Sequence, residues 1–322
     1  MRKKLHKIIV TGGAGFIGSE FVRQMAMQNH KLVVIDQLTY AGDLDRLAPV
    51  KGKYVFYRAN ICDVHKINAI IKKEKPEALV HFAAESHVDR SIVDATPFID
   101  TNIKGTQVLL DASRNNNVKK FIHISTDEVY GEIKKGQFFE SSPIKPNSPY
   151  AAAKASADLL VQSYIRTYRF PACIVRPSNN YGLWQYPEKF IPVATLAVLK
   201  NKKIPVYGRG LNMREWLHVS DCALAIKIVL EQASPGEIYN IGSGQEMRNI
   251  DMARMIIKFL GKSDRLIKYV KDRAGHDFRY SLNIGKIRKE LGWKPQVKLD
   301  AGIRETVEWY SQSKYLNFFK EK

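Results

Sequence analysis

Residues 7–26, KIIVTGGAGFIGSEFVRQMA, decide the fold that we expect for this chain. An apolar, β-branched run leads into Gly12, Gly15 and Gly18, and a stretch with helical spacing follows. Glycines at this spacing permit a tight turn, close approach of the backbone to a pyrophosphate and close packing of a helix on a strand. A helix that begins here directs its N–H groups and its positive dipole end toward phosphates. The stretch therefore predicts a strand, a phosphate-binding turn and a helix.

The same alternation continues outward from this stretch. Further apolar runs, separated by segments with helical spacing, are KLVVID (31–36), YVFYRAN (54–60), ALVHFAA (78–84), KFIHIST (120–126) and ACIVRPSN (172–179). Continuous apolar strands that alternate with helices predict a parallel sheet covered on both faces. We therefore expect an α/β fold with a doubly wound, Rossmann-type parallel sheet.

Beyond residue 180 the pattern loosens. Prolines become frequent, short strands such as IPVYG (204–208) mix with helices, and IYNIG (238–242) is typical of another strand of the main sheet. We predict that residues 1–180 and 218–243 form the dinucleotide-binding domain. Residues 181–217 and 244–322 are expected to form a smaller, discontinuous α/β lobe that binds the substrate.

The charge is unusual, because 51 basic residues outnumber 32 acidic ones and leave a formal net charge of +19. A basic protein attracts polyanions, so nucleic acid has to be considered as a partner. The lysines, however, are spread along the chain as single residues and short pairs, without a long basic arm interleaved with aromatics. We therefore expect no nucleic-acid partner, and a solvated lysine-rich surface or a phosphate-bearing substrate remains as the explanation.

Cysteine usage and hydropathy argue against a zinc-binding, a disulfide-rich or a membrane-spanning protein. Cys62, Cys173 and Cys222 form no CxxC pair, which argues against a zinc site or a disulfide framework and favours a reducing cytoplasm. We expect no metal. Since no apolar run approaches the ~20 residues of a membrane span, we expect no membrane association. The basic N-terminus runs through a short apolar stretch into the glycine turn, which indicates a first strand and not a signal peptide.

Asp36 indicates which dinucleotide binds. It ends the second apolar run, 18 residues after Gly18. A carboxylate at this place hydrogen-bonds the adenine ribose hydroxyls and repels a 2′-phosphate, so NAD is favoured over NADP. The alternative is a purely structural glycine turn beside a surface aspartate.

Tyr150 and Lys154 lie in SPYAAAKASADLLV (148–161), four residues apart on an expected helix. This spacing places both side chains on one helix face. An ammonium group near the phenol stabilises the phenolate, so we expect a lowered tyrosine pKa and a base that works near neutral pH. The alternative is an ordinary surface pair.

Asp127 and Glu128 are adjacent acids in STDEVYG (125–131). Inside a strand they would point to opposite faces, so we expect the strand to have ended before them. Two neighbouring carboxyl groups push their pKa values apart, which lets one act as an acid and the other as a base. The alternative is a helix-capping acidic pair.

Together these motifs resemble the extended short-chain dehydrogenase/reductases, the family of nucleotide-sugar epimerases and dehydratases. The resemblance runs from Lys7 to about Tyr310. Within this family it is strongest to the dTDP-glucose 4,6-dehydratases. The blocks that carry it are LTYAGDL (38–44), HFAAESHVDRS (81–91), HISTDEVYG (123–131), RPSNNYG (176–182), YPEKFIP (186–192), MREWLHVSD (213–221), YNIGSG (239–244) and DRAGHDFRY (272–280).

The resemblance implies a set of site residues. The catalytic residues it implies are Thr126, Asp127, Glu128, Tyr150 and Lys154. The NAD contacts it implies are Gly12, Gly15, Phe16, Ile17, Gly18, Asp36, Asn60, Ile61, Ala83, Ser86, Thr101, Tyr150, Lys154 and Asn180. The substrate contacts it implies are His87, Thr126, Asn179, Lys189, Arg214, Asn249, Arg273 and His276. The chain departs from its relatives at Asn60, where Asp is frequent, at Ala274, where Pro is usual, and at Trp184-Gln185.

The resemblance also implies an activity and an assembly. The expected reaction converts dTDP-glucose to dTDP-4-keto-6-deoxyglucose by C4 oxidation, elimination of water across C5 and C6, and return of the hydride to C6. Alternatives are a UDP-glucose 4,6-dehydratase, another UDP-sugar epimerase or decarboxylase, and, more remotely, a non-catalytic NAD- or polyanion-binding protein. Relatives are commonly homodimers, and the amphipathic stretches 102–117 and 149–168 are candidates for the interface.

Overall fold

The computed structural model describes residues 5–28 and 30–318. Its strands are β1 Lys7–Thr11, β2 Lys31–Asp36, β3 Tyr54–Arg58, β4 Ala78–His81, β5 Lys120–Ile124, β6 Ala172–Pro177, β7 Asn179–Tyr181, β8 Ile204–Tyr207, β9 Met213–His218, β10 Ile238–Ile241, β11 Glu246–Arg248 and β12 Ile267–Val270. Its helices are α1 Phe16–Ala26, α2 Val64–Glu74, α3 Val88–Val93, α4 Thr96–Phe98, α5 Gly105–Asn115, α6 Pro149–Tyr168, α7 Phe190–Leu199, α8 Val219–Gln232, α9 Asn249–Phe259, α10 Gly285–Leu291 and α11 Leu299–Gln312. Short 3₁₀ segments cover Leu44–Val50, Asp127–Tyr130, Asp264–Leu266 and Lys314–Asn317, and a π-helical stretch, Ile99–Lys104, joins α4 to α5.

Seven parallel strands form the central sheet in the described part of the chain, in the order β10-β6-β5-β4-β1-β2-β3. This confirms the predicted α/β fold with a doubly wound parallel sheet. Each apolar run quoted above contains one of these strands, and the strand ends at most three residues before the run does. The strand order reverses between β1 and β4, so the loops that follow these two strands diverge.

Helices cover both faces of the sheet. Because alternate side chains of each strand point in opposite directions, each strand contributes to both buried faces. Ile8 and Val10 of β1 belong to the cluster that packs against α1 and α8, where Phe21 is fully buried. Ile9, between them, belongs to the opposite cluster, with Ile67 of α2 and residues of α5 and α6. The continuous apolar runs follow from this two-sided burial.

The structure also has a smaller lobe. It contains the mixed sheet β11-β9-β7, the parallel pair β12-β8 and a separate apolar core. That core packs α7, α9 and α11 together through side chains such as Ile191, Ile256 and Ile303. None of the described helices is both long enough and apolar enough to cross a membrane.

Glu215 of β9 is a fully buried carboxyl group that joins separate segments of this lobe. One of its oxygens accepts a hydrogen bond from the backbone N–H of Gly244 at 2.7 Å, and the other accepts from Leu282 at 2.9 Å. Burial raises the pKa of Glu215, and these N–H donors oppose that rise. The carboxyl group therefore stabilises the chain around it by pairing buried backbone donors.

We expect Glu215→Ala to lower the free energy of unfolding by at least about 2 kcal/mol, because two buried N–H groups lose their acceptor at about 1–3 kcal/mol each. The midpoint of urea-induced unfolding measures this loss. The matched control is Glu237→Ala, which removes a partly exposed carboxyl group paired with Lys286 and should cost less than about 1 kcal/mol. Equal losses in the two variants would contradict the structural role of Glu215.

Candidate active site

A cavity of about 340 Å³ opens at the carboxyl ends of the central strands, where β1 and β4 lie side by side. Such a crevice at the reversal of strand order is the usual ligand site of an open parallel sheet. Most of the predicted site residues line it: Gly12, Gly15, Phe16, Ile17, Gly18, Asp36, Ile61, Ala83, Ser86, Thr101, Thr126, Asp127, Glu128, Tyr150, Lys154, Asn179, Asn180 and Lys189.

The glycine turn forms one end of this cavity. Gly12 has φ +68°, and a Cβ atom there would lie 2.5 Å from the backbone N of Ala83. A Cβ atom on Gly18 would overlap the carbonyl oxygen of Gly12. The helix α1 begins directly after the turn, and its N-cap, Gly15, has no side chain to cover the first N–H groups. This polarised helix end fits the pyrophosphate of a dinucleotide.

Asp36 lies at the end of β2 and is held in a fixed orientation. Its Oδ2 accepts a hydrogen bond from the N–H of Ala14 at 3.0 Å, and its Oδ1 accepts from the N–H of Leu38 at 2.8 Å. Burial raises the pKa of Asp36, while both N–H groups and the Arg46 guanidinium oppose the rise. A carboxylate fixed at this position fits the ribose hydroxyls of NAD.

Asn60 lies away from the cavity wall, although the neighbouring Ile61 lines it. The Asn60 side chain is exposed, and its Oδ1 accepts a hydrogen bond from the backbone N–H of Cys62 at 2.9 Å. Asparagine frequently makes such a local bond at a turn. A contact between Asn60 and adenine stays a prediction.

Asp127 and Glu128 follow β5 in a short 3₁₀ turn, as expected, because the strand ends at Ile124. Thr126 precedes the turn and stabilises it: its hydroxyl accepts from the N–H of Glu128 at 3.3 Å and lies 3.2 Å from Asp127 Oδ1. In a strand the two neighbouring side chains would point to opposite faces of the sheet. Because the chain turns here instead, the side chains of both acids reach the same cavity.

The two acids lie in different environments. Asp127 is 1 % exposed, and its Oδ2 has no hydrogen-bond partner among the described residues. Burial, together with the charges of Glu128 and Glu215, holds the pKa of Asp127 well above its ordinary value. Burial also raises the pKa of Glu128, but the cations Arg273, Arg214 and Lys189 oppose that rise. Both pKa values are raised, and Asp127 is the more disposed of the two to carry a proton, while Glu128 is the more disposed to be ionised.

Tyr150 and Lys154 lie in the first turns of α6, which begins at Pro149 after the N-cap Ser148. The Ser148 hydroxyl accepts a hydrogen bond from the N–H of Ala151 at 3.1 Å. Both functional side chains are buried, and Lys154 Nζ donates to the carbonyl oxygen of Ile124 at 2.6 Å. The lysine is thereby tied to the end of the strand that presents the acids.

The expected lowering of the Tyr150 pKa is wrong for the protein by itself. Burial, followed by the charge of Glu128, raises the pKa of the Tyr150 phenol, and a hydrogen bond with Thr126 opposes the rise. Burial also lowers the pKa of Lys154 to about 8. Desolvation disfavours the charged form of both groups, and the argument from helical spacing did not include it.

The predicted cations come from three distant segments and converge near Glu128, as their effect on its pKa indicates. Lys189 Nζ donates to the carbonyl oxygen of Ser86 at 2.6 Å. Arg214 donates to the carbonyl oxygen of Asp277 at 2.9 Å, and Arg273 Nη1 lies 3.3 Å from Asp89 Oδ1. Guanidinium and ammonium groups in this arrangement suit a diphosphate.

The remaining predicted substrate residues are held by the protein outside the cavity wall. His87 caps α3 by accepting a hydrogen bond from the N–H of Arg90 at 3.4 Å. His276 Nδ1 lies 2.6 Å from Asp272 Oδ1. Asn249 begins α9, and its N–H donates to the carbonyl oxygen of Asn212 at 3.0 Å. Their contacts with a substrate stay predictions.

Sequence reasoning missed several residues of the cavity wall, among them Arg46, Glu85, Gln185, Tyr186 and Glu188. Tyr186 and Glu188 lie in the block YPEKFIP, so a signal for them existed. Arg46 gave no such signal. It is fully buried and donates to the carbonyl oxygens of Ala14 at 2.8 Å and Trp184 at 2.9 Å, which ties the glycine turn to a segment far along the chain.

Among the described residues, no group of three or more His, Cys, Asp or Glu side chains is arranged to hold a metal ion. The polar atoms that converge on the cavity are instead carboxyl oxygens, hydroxyls, amides and cations. Asn179 Oδ1 and Asn180 Oδ1 are buried without a hydrogen-bond partner in the part of the chain that the structure describes. Buried polar atoms of this kind commonly bind a ligand.

Known proteins with the same sequence pattern and fold are nucleotide-sugar enzymes. The family model described as GDP-mannose 4,6 dehydratase matches residues 9–306. The dTDP-glucose 4,6-dehydratase of Streptomyces niveus is 48 % identical over 316 residues, which is 96 % of this chain and 94 % of that protein. The dTDP-glucose 4,6-dehydratase 1 of Escherichia coli K12 is 45 % identical and covers 98 % of this chain and 95 % of its own.

Solved structures agree with these relatives. DesIV, the dTDP-glucose 4,6-dehydratase of Streptomyces venezuelae, superposes with a TM-score of 0.92 at 46 % identity, covering 94 % of this chain and 96 % of its own; it was crystallised with NAD. A UDP-glucose 4-epimerase of Thermus thermophilus in complex with NAD reaches 0.90 at 28 % identity, with coverage of 95 % and 99 %. The chain therefore belongs to the nucleotide-sugar epimerases and dehydratases of the extended short-chain dehydrogenase/reductases, in the family of the dTDP-glucose 4,6-dehydratases.

Proposed function

We propose that this protein is an NAD-dependent dTDP-glucose 4,6-dehydratase that forms dTDP-4-keto-6-deoxyglucose. The observation that carries the proposal is the convergence of Tyr150, Asp127 and Glu128 on the cavity that the glycine turn also lines. The sequence identity to dTDP-glucose 4,6-dehydratases supports it, and so does the NAD present in related structures.

The residues of the cavity fit NAD. The turn from Gly12 to Gly18 leaves room and N–H groups for the pyrophosphate, and Asp36 offers oxygens to the adenine ribose. The chemistry that bound NAD would supply is reversible hydride transfer, from C4 of the sugar and back to C6 as C5 is reprotonated, so that the net reaction would be redox-neutral.

The acid–base groups of the chain carry the proton transfers. Tyr150 takes the proton of the 4-hydroxyl group, and the charge of Lys154 and the Thr126 hydroxyl stabilise the phenolate. The resulting 4-ketone acidifies the proton on C5, which Glu128 removes. Asp127, held protonated by its burial, gives its proton to the departing 6-hydroxyl as water leaves. The opposed environments of the two acids support this assignment of roles.

The three cations near Glu128 are suited to the diphosphate of the substrate. Lys189 lines the cavity, while Arg214 and Arg273 come from the smaller lobe beside it. We assign sugar and nucleotide contacts to Asn179, which lines the cavity, and, from the resemblance to the family, to His87, Asn249 and His276, which lie outside its wall. This part of the proposal rests on the charges and on the resemblance to the family.

The paired acids argue against simple epimerisation, which needs a tyrosine base and a hydroxyl partner without further proton transfers to C5 and O6. They also argue against a non-catalytic NAD- or polyanion-binding protein, because a full set of acid–base groups lines the cavity. The preference for thymidine over uridine rests on the identity to dTDP-glucose enzymes.

We also propose the division of the chain into an NAD-binding domain, residues 1–180 and 218–243, and a nucleotide-sugar lobe, residues 181–217 and 244–322. Residues 1–4, 29 and 319–322 of these ranges lie outside the described residues.

A cytoplasmic location is supported by the three cysteines, Cys62, Cys173 and Cys222, which are all free thiols.

Incubation of the purified protein with dTDP-glucose and, separately, with UDP-glucose tests the proposed activity. We expect mass spectrometry to show loss of one water from dTDP-glucose, and deuterated solvent to label C5 of the product because that carbon is reprotonated. UDP-glucose is the matched control and should react more slowly. Loss of water from neither sugar nucleotide would reject the proposal, and faster loss from UDP-glucose would reverse the choice of base.

We expect Asp127→Asn and Glu128→Gln each to slow the loss of water by about 10²–10⁴-fold, because each variant removes one acid–base group. Binding of dTDP-glucose, measured by calorimetry, should change little, since both replacements are isosteric. Asp300→Asn, which neutralises an exposed carboxyl group in the first turn of α11, is the control and should react as the parent does. Parent rates in the Asp127 and Glu128 variants would refute their proposed roles.

We propose a homodimer that associates through the helices within residues 102–117 and 149–168. Large apolar side chains are exposed on and beside these helices, including Val93, Ile99 and Leu159. Sedimentation equilibrium should give twice the mass of one chain, and Leu159→Lys should shift it toward one chain. Met27→Lys, at the end of α1 on the opposite sheet face, is the control and should remain a dimer. A parent protein with the mass of one chain would contradict this proposal.

A further inference from the structure

A buried layer of ionisable side chains, formed by Asp158, Arg176 and His123, lies near the proposed catalytic lysine, Lys154. Asp158 of α6 is 0 % exposed and Arg176 of β6 is 1 % exposed, and Arg176 Nε donates to Asp158 Oδ2 at 2.8 Å. Neither residue has a part in the reaction steps proposed above. A buried ion pair is costly to desolvate and is weak evidence for a stabilising role, so its position needs another explanation.

That position is one helical turn from Lys154. Residues four apart on a helix are neighbours on one face, and Lys154 and Asp158 are both buried on α6. Lys154 Nζ is held on the carbonyl oxygen of Ile124 in β5. From the same strand, His123 Nε2 lies 3.4 Å from Asp158 Oδ1. The carboxylate thus lies between a histidine and an arginine, one helical turn from the lysine.

The two histidines in and beside this layer do not supply charge. Burial, and then the charge of Lys154, lowers the pKa of His81 to about 3 and holds the pKa of His123 well below its ordinary value. Both imidazoles are therefore neutral in the physiological range. In the described part of the chain, the ionisable side chains whose charges act on Asp158, Arg176 or His123 are Lys154 of α6, His81 of β4, Tyr130 of the 3₁₀ turn, and Asp158 and Arg176 themselves.

The charges act in a chain from Arg176 through Asp158 to Lys154. Burial raises the pKa of Asp158, and Arg176 opposes that rise through its charge and its hydrogen bond. Burial lowers the pKa of Lys154 to about 8, and Asp158 opposes that fall. Since Tyr150 is itself buried, its phenolate depends on a positive charge nearby.

We propose that Asp158 is a positioning residue that keeps Lys154 protonated, that Arg176 keeps Asp158 ionised, and that the pair thereby makes the charge of Lys154 available to the Tyr150 phenolate. This inference rests on the proposed function of Tyr150 as the base. It assigns to Asp158 a role in the reaction without contact with the sugar or with NAD.

Loss of the Asp158 charge should lower the pH at which the enzyme loses activity. Without that charge, Lys154 loses its proton at lower pH. The alkaline limb of the profile of kcat/KM against pH, where Lys154 loses its proton, should therefore move down. The acid limb, where Tyr150 loses its proton, should not move up, because Lys154 is still charged there and loss of a negative charge does not disfavour the phenolate. The active range therefore loses its alkaline part.

The test is Asp158→Asn, which keeps the volume and removes the charge. We expect the alkaline limb to fall by about one pH unit and kcat/KM above that limb to fall by about tenfold, because one pKa unit changes the protonated fraction of Lys154 about tenfold. The KM for dTDP-glucose should remain within about twofold, since Asp158 does not reach the cavity. A slower variant whose profile has not moved would show a merely structural role and would overturn the inference.

Tyr130→Phe is the matched control. Its hydroxyl accepts from Arg176 at 2.7 Å and donates to Asn240 at 2.8 Å, so its loss weakens the buried network and leaves the Asp158 charge in place. We expect a lower melting temperature and an unmoved pH profile. A shift as large as that of Asp158→Asn would overturn the inference, because general disturbance of the network would then explain both variants.

Asp158→Asn leaves Arg176 as an unpaired buried cation and so endangers folding. The double variant Asp158→Asn with Arg176→Gln removes both charges, and it should move the alkaline limb in the same direction by a smaller amount. A folded double variant with the parent profile would overturn the inference.

The parent protein separates this result from a failure of the proposed function. Absence of water loss in the parent rejects the dehydratase, whereas parent turnover with unmoved variant profiles rejects only the role of Asp158.

Discussion

Desolvation of ionisable groups at the carboxyl end of one parallel strand is the constraint on which the rest of the site depends. β5 ends at Ile124, and the turn that follows carries Asp127 into a place that water does not reach. A buried carboxyl group favours its neutral form, while the same group beside cations favours its ionised form. Because Lys189, Arg214 and Arg273 oppose the rise of the Glu128 pKa, Glu128 is the more disposed of the two neighbours to be ionised and Asp127 the more disposed to carry a proton.

The same constraint makes the tyrosine and the lysine depend on their surroundings. Burial disfavours both the phenolate of Tyr150 and the ammonium of Lys154, so proximity of the two is not sufficient for a neutral-pH base. A compensating charge has to come from the protein or from the ligands. The Arg176–Asp158 ion pair is buried, and its carboxylate lies one helical turn from Lys154 on α6.

The smaller lobe contributes cations near the cavity, and these suit the diphosphate of the proposed substrate. Its cations are held by contacts to the backbone and to carboxyl groups, as in the bond from Arg214 to the carbonyl oxygen of Asp277. The buried carboxyl of Glu215 pairs backbone donors of two further segments and so fixes the strand on which Arg214 lies. The basic surface of the protein is a separate matter, because these few buried cations account for little of the net charge of +19.

The sequence by itself determined the doubly wound sheet, the glycine turn, the end of β2 at Asp36, and the end of β5 before Asp127, because local periodicity and turn chemistry specify these features. Tertiary structure alone decided which distant segments meet. Arg46 bridges Ala14 and Trp184, and Asn60 faces solvent, although no local pattern distinguishes either residue. It also decided the sign of the shift in the Tyr150 pKa, because desolvation depends on everything packed around a group, and spacing along a helix describes only two of its neighbours.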